Sequence, residues 1–408
     1  MSRLTRPDPS SPATPDLRAR LTIVSGFHPR TTASLTASLL RADRDVIAVS
    51  YDIGQILTTG SIRRTVRTAD KLLESRTTIL EHACLSCAVR EDVVPTLARI
   101  AERRPGGSVV LQLPPALEPD TVADACQWHT VEDRPVTELL AVDSVIAAVD
   151  PETVLDELDS DDDLAHRDMQ AADNDTRSVS EVVARQVEHA DTVLTWAPGR
   201  PESYEDARLS VLLHRINPWS RRLTVRENHP GVLAEVLLDA GNFNPDHPPI
   251  YGRGLEGYGF GVHEPESDCG VVSFVFRSRR PFHPGRLNAT LPVLADNSIR
   301  ARGQLWLATQ PEKAIAFHCC GGGVSMGPLT MWLEKSAPED WEETAPARQV
   351  YAGLNWDEVY GERENQIAVI GMDMDSEAVR MALEACLVRE GEETASLPDP
   401  FAGCFDEG

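Results

Sequence analysis

The sequence predicts an α/β fold: a parallel sheet with helices on both faces, followed by a smaller α+β unit. Two observations carry the first part. Five short apolar runs have the length and composition of buried strands: "LTIVSG" (21–26), "VIAVSYD" (46–52), "SVVLQL" (108–113), "SVIAAVD" (144–150) and "DTVLTW" (191–196). Stretches with helical spacing lie among them, at 31–42, 91–103, 119–127, 179–190 and 202–215. Buried strands alternating with helices indicate parallel pairing, because each crossover covers a sheet face. The third observation is a change of pattern near residue 270. Beyond it, strands are expected at 270–278, 301–309, 313–320 and 365–373, with helices at 285–294 and 375–387.

Boundaries follow from composition. Residues 1–19 are rich in Pro, Ser and Asp and read as a disordered tail. Residues 20–240 form the first domain. Within it, 151–178 is strongly acidic with few apolar residues and reads as an exposed or disordered insertion. Gly, Pro and polar residues dominate 241–269, which reads as an interdomain linker. Residues 270–390 form the second domain, and 391–408 a short acidic tail.

Charge and cysteine usage narrow the function classes. The chain has 408 residues and a net charge of −25. Phosphate would repel most of such a surface, so a protein that coats nucleic acid is excluded. Lysine occurs only at Lys71, Lys313 and Lys335, so any motif that needs it has few candidates. No run approaches the ~18–20 apolar residues of a membrane helix, and no signal peptide is evident. The expectation is a cytoplasmic protein without a membrane partner, its eight cysteines reduced.

The first apolar run ends in a glycine turn and a helix, the context of a phosphate-binding loop, G-x-x-x-x-G-K-[ST]. Here Gly26 fits the first position. Thr31 stands at the second glycine, Thr32 at the lysine and Ala33 at the hydroxyl position, with Ser34 following. Pro29 has no N–H to offer a phosphate. Arg30 supplies charge, but its planar fork does not replace lysine in this cradle. Gly26, Thr31, Thr32 and Ser34 therefore read as a vestigial nucleotide site or a plain strand–helix turn.

"EHACLSC" (81–87) holds the chief metal candidates. Cys84 and Cys87 have C-x-x-C spacing, which lets two thiolates reach one zinc, and His82 is the nearest extra donor. Two cysteines are half of a structural zinc site, and no second C-x-x-C exists. A redox pair ahead of a helix and two buried thiols stay open as alternatives. His318, Cys319 and Cys320 form a second cluster, but neighbours on a strand point to opposite faces and do not naturally share a metal. Arg277, Arg279, Arg280 and Arg286, with His283, concentrate positive charge in "FRSRRPFHPGR" and are the best candidates for an acidic or phosphate-bearing partner.

Taken in order, these features resemble the CobW-type metal-handling P-loop GTPases, over residues 20 to 390. "SGFHPRTTASL" aligns without a gap on that family's G-F-L-G-x-G-K-T-T loop. The family motif G-C-x-C-C-x-x-R-x-D matches Ala83 to Asp92, with Ser86 at the middle cysteine. Gln112 and Pro115 stand in the acidic strand end E-x-x-G, and Trp196 to Gly199 in the guanine-reading N-K-x-D. The second half resembles the CobW C-terminal domain through "FRSRRPFHPGRL", "RARGQLWLAT" and "NWDEVYGERENQIAVIG". A narrower likeness is to nucleotide-motif-poor actinobacterial members, among them a mycobacterial ribosome-hibernation recruitment factor. The resemblance implies a P-loop-GTPase-like domain followed by a CobW C-terminal domain. It implies zinc as the ion, with GTP and magnesium not expected. It further implies a non-catalytic adaptor in zinc limitation, partnered by the ribosome or a ribosome-associated hibernation factor. The alternatives are a zinc or cobalt metallochaperone with a metal client protein and weak or unusual GTPase activity, or a zinc store or sensor.

Overall fold

The structure, a computed structural model, describes residues 16–245, 255, 266–394 and 397–405. The first domain is built on eight strands: β1 (Ala19–Ser25), β2 (Ile47–Asp52), β3 (Ser61–Arg67), β4 (Leu72–Ile79), β5 (Ser108–Gln112), β6 (Leu140–Val149), β7 (Thr192–Trp196) and β8 (Arg221–Val225). They lie in the order β8-β7-β6-β1-β5-β2-β3-β4. Pairing is parallel from β8 to β2, and β3 and β4 add an antiparallel hairpin at one edge. β1 sits between β5 and β6, with Ile23 opposite Leu111 and Val145. Leu21 and Ile23 on one face, and Val24 on the other, enter separate buried clusters. That is why the central strands read as near-continuous apolar runs.

The principal helices of this domain are α1 (Pro29–Ala42), α2 (Val94–Arg103), α3 (Pro119–Trp128), α4 (Val154–Leu158), α5 (Val179–Glu188), α6 (Tyr204–Ile216) and α7 (Pro230–Leu237). α1 begins at a proline, whose missing N–H costs nothing in a first turn. α6 begins at Ser203, which forms a reciprocal capping box with Asp206.

The second domain is a five-stranded antiparallel sheet: β9 (Val271–Ser278), β10 (Arg300–Leu305), β11 (Lys313–Cys320), β12 (Gly323–Met331) and β13 (Asn365–Met372), in the order β9-β13-β10-β11-β12. Helices α8 (Pro284–Asn297) and α9 (Ser376–Ala385) bury Leu287, Leu294, Val379 and Leu383 in one core with Phe274 and Phe317 of the sheet. Gly303 on β10 lies against β13, where a Cβ would come within 1.9 Å of the Gln366 carbonyl oxygen.

Two compositional readings are corrected. The acidic stretch 151–178 is folded onto the first domain: Val154, Leu158 and Leu164 are fully buried. Arg177 holds Asp175 at 2.8 Å and Glu118, earlier in the chain, at 2.7 Å. A few apolar residues at helical spacing suffice to anchor a segment whose other side chains face water. The C-terminal stretch is docked too: Phe401 and Phe405 enter the second core, and Asp399 accepts from Thr309 Oγ1 at 2.6 Å. At the other end Ala19, placed in the tail, is a buried residue of β1. Most of the linker 241–269 lies outside the described residues.

The domains meet across a buried charge cluster. Glu188, the last residue of α5, takes Arg300 of β10 through Nε at 2.7 Å and Nη2 at 3.0 Å, and also pairs with Arg302. Arg302 donates to the Ile216 carbonyl at 2.8 Å, and Arg300 Nη2 to His318 Nδ1 at 2.9 Å. Burial opposes the Glu188 charge, but Arg300 and Arg302 outweigh it and hold the carboxyl far below the usual range. Burial and the adjacent Arg300 together keep His318 neutral. Beside the cluster, Gly321 turns at φ +51°, where a Cβ would sit 2.2 Å from the Ser160 carbonyl oxygen and 2.3 Å from Ser180 Oγ.

Removing one partner of a buried ion pair strands the other charge, at about 3–5 kcal/mol. Glu188→Gln is therefore expected to lower stability by about that amount in urea denaturation, against little change for Glu181→Gln on the same helix. Equal midpoints for the two variants would remove the cluster as a structural keystone.

Candidate functional site

The cysteine motif occupies the turn between β4 and α2. Leu80 N–H closes the hairpin on the Gly60 carbonyl, and the chain then turns through residues 81–84. Cys84 caps a one-turn helix, Leu85–Ala88, which runs through a π-helical turn, Val89–Val93, into α2. The cap is the Cys84 sulfur itself, which accepts the Cys87 N–H at 3.4 Å. Cys87 Sγ lies 3.9 Å from His82 Nδ1 and 3.7 Å from Arg90 Nη2. Cys87 is buried, Cys84 half-buried and His82 exposed. The Cys84 contact, with burial second, pushes the Cys87 thiol up to about 11, and Arg90 opposes that rise. The Cys87 thiol is thus protonated at neutral pH, unlike an activated redox thiol.

The structure therefore gathers Cys84, Cys87 and His82 on one turn. Their donor chemistry fits zinc, which takes thiolate and imidazole ligands. Among the described residues, no three His, Cys, Asp or Glu side chains are arranged to hold one ion. A tetrahedral site needs the turn to tighten and a further ligand to arrive.

The turn rests on a buried polar anchor that the sequence reading missed. Asp92 accepts from Tyr51 Oη at 2.9 Å and Thr78 Oγ1 at 2.6 Å, and pairs with Arg64. Arg64 also pairs with Glu74, which takes Arg99 at 2.8 Å. These residues come from β2, β3, β4 and α2, so no local spacing announces them.

The glycine loop is compact. Gly26 has φ +155°, and a Cβ there would lie 2.3 Å from the Ala148 carbonyl oxygen. Phe27 turns inward and is buried against Ala147, Val149 and Val154. Thr31 Oγ1 donates to Asp150 Oδ2 at 3.4 Å; Thr32 Oγ1 donates to the Pro29 carbonyl at 3.1 Å and accepts from Gln112 Nε2 at 3.4 Å. Thr31 and Thr32 are buried, while Ser34 lies further along α1, half-buried. The cavity bounded by Gly26, Phe27, His28, Val154 and Glu157 holds about 10 Å³. That is room for one water at most, in a void that Val183, Gln186 and Val187 of α5 also line. α4, from the acidic segment, supplies Val154 and Glu157. The segment in the base-reading position is tied to β8, with Ala197 N–H on the Val225 carbonyl and Gly199 N–H on that of Arg226.

The arginine cluster is not a free basic surface. Arg279 donates to the Asn355 and Gly361 carbonyls at 2.6 and 3.0 Å, and Arg280 to that of Val388 at 3.4 Å. Arg286 is paired with Glu392 at 2.7 Å and bonds the Leu387 carbonyl. Arg277 is exposed. Three of the four side chains satisfy loop carbonyls that sequence spacing does not reveal. Cys319 and Cys320 diverge as expected, one into the core of the second domain and one against α5, where its sulfur meets the Ser180 carbonyl at 3.2 Å.

Comparison with known proteins agrees with this layout. Residues 22–209 match the CobW/HypB/UreG nucleotide-binding domain, and residues 271–387 match the cobalamin synthesis protein cobW C-terminal domain. The chain belongs to the CobW family and carries both of its domains. It is 27% identical over 399 residues to a zinc chaperone of Mycobacterium tuberculosis, spanning 92% of this chain and 91% of that one. It is 24% identical over 325 residues to zinc-regulated GTPase metalloprotein activator 1 of Dictyostelium discoideum, spanning 77% of this chain and 66% of that one. Among solved structures, the Zn(II)-bound YjiA GTPase from E. coli is similar at 15% identity and a TM-score of 0.35, over 91% of this chain and 99% of that one.

Zinc bound by Cys84 and Cys87 would displace thiol protons, so affinity is expected to rise with pH, by about tenfold per unit for each proton released. A competition titration between pH 6 and pH 8 should show that rise in the wild-type chain. Cys87→Ser should bind at least about tenfold more weakly and with a shallower pH slope. Unchanged affinity and slope in Cys87→Ser would remove the pair as ligands.

Proposed function

We propose that this CobW-family chain handles zinc without turning over GTP, taking the ion on the Cys84–Cys87 turn and acting through a protein partner. The observation that carries this is the placement of two thiols and one imidazole, Cys84, Cys87 and His82, on a single anchored turn. The relatives named as a zinc chaperone and a zinc-regulated activator support zinc as the cargo. Cys84 and Cys87 would supply thiolates to it and His82 an imidazole nitrogen, with the remaining position open to a donor or recipient protein. An incomplete ligand set favours release, which a carrier needs and a structural site avoids.

The loop supports the absence of turnover. It lacks the lysine that balances phosphate charge, and a buried phenylalanine and α4 fill the space beside it. The finer reading is an adaptor that works in zinc limitation at the ribosome or on a hibernation factor; its support is the likeness to motif-poor actinobacterial members. A second reading, a zinc or cobalt metallochaperone with weak GTPase activity, draws on Gly26 and the hydroxyls of Thr31 and Thr32, which persist at the start of α1.

Calorimetry with GTP and magnesium is expected to give no binding heat, while zinc binds the same sample; tight GTP binding would establish the second reading instead. Pull-down of the tagged chain from zinc-starved cells should enrich ribosomal proteins over zinc-replete cells. Equal recovery from both would dismiss the ribosomal role and leave the zinc carrier standing.

A further inference from the structure

The sheet of the first domain ends on β4, an eight-residue strand without proline or glycine, whose regular pairing with β3 runs from Glu74 to Ile79 and shifts register at Leu73. Leu72, Leu73 and Ile79 on it are 66%, 51% and 78% exposed. Open edges of this kind template pairing with another strand unless something blocks them. The direction of its free main-chain groups follows from the hairpin. Leu80 N–H bonds the Gly60 carbonyl, and the register continues as Ile62 opposite Thr78 and Arg64 opposite Arg76. In antiparallel alternation, Ser75, Thr77 and Ile79 then turn their N–H and C=O groups outward.

We propose that β4 pairs antiparallel with β4 of a second copy about a two-fold axis at Ser75, joining two eight-stranded sheets into one. Charge selects the occupant and the register. A two-fold axis sets one residue opposite itself, so an axis at Glu74 or Arg76 confronts like charges. An axis at Thr77 sets Glu74 opposite Leu80 and Arg76 opposite Thr78. Only the axis at Ser75 sets each Glu74 opposite the second copy's Arg76. It does so twice, in the pairs whose side chains lie closest. The same register sets Ser75 opposite itself, where the outward N–H and C=O groups exchange bonds. Arg76 is exposed and makes no ion pair among the described residues, so it is available for this contact. Glu74 lies on the same face, held by Arg64 and Arg99. A self-complementary patch of this kind is what an isologous dimer requires. Cys84 and Cys87 lie outside the paired span, so this surface stands independently of the zinc reading.

Sedimentation velocity of the full chain in EDTA tests the proposal. The wild type is expected to sediment as a dimer. Thr77→Pro removes an outward N–H while sparing the bonds to β3, and should raise the dissociation constant at least about tenfold with an unchanged thermal melt. Arg76→Glu should do the same by confronting Glu74 with a glutamate. Under mild oxidation, Ser75→Cys should give an intermolecular disulfide through position 75, mapped by mass spectrometry. A chain that is monomeric at every concentration overturns the proposal, whether or not β4 takes up an extended peptide from another protein. So does a dimer that Thr77→Pro and Arg76→Glu both leave intact.

Discussion

One buried carboxylate fixes the relation between the two halves of this protein. Glu188 closes α5 in the first domain, and both guanidinium groups that reach it come from β10 in the second. Three charges out of water are tolerated only while they satisfy one another. The cluster therefore acts as a registration device: a shift of β10 along α5 would break the Arg300 fork and expose Arg302 to an uncompensated interior. Gly321 and Cys320, packed on Ser160, Ser180 and Leu158, bring the next turn of chain to the same helix. Arg208 and Asp373 add an ion pair across the two domains.

A second buried charge cluster anchors the cysteine turn. Asp92 sits on the π-helical turn that follows Cys87, and its three partners come from β2, β3 and β4. The cysteines are thus set on a short helix whose far end is clamped to the sheet, while the segment carrying His82 stays at the surface. That arrangement gives the turn one clamped and one exposed side, which suits the proposed carriage of zinc better than a site held for folding. At the glycine loop, α1 already begins at Pro29, and Phe27, Val154 and Glu157 take up the space beside the turn. The acidic segment that looked like a solvated insertion is what brings α4 there.

The sequence by itself determined the parallel core, because buried strands need apolar side chains on both faces and helices announce their period. It also determined the C-x-x-C turn and the missing lysine, which are local facts of spacing and identity. It did not disclose the β3–β4 hairpin, whose strands "SIRRTVR" and "LLESRTTI" are rich in charge and bury only Ile62 and Val66 as large apolar residues, nor β12, which contains two glycines and a proline. Tertiary structure alone decided the fates of charged side chains. Arg64, Arg279, Arg286, Arg300 and Arg302 look alike in sequence as surface cations. Each instead meets a carboxylate or carbonyl contributed by a distant part of the chain. A long polar side chain goes inside only where such a partner waits, and the partner's position is a property of the folded topology, not of neighbouring residues.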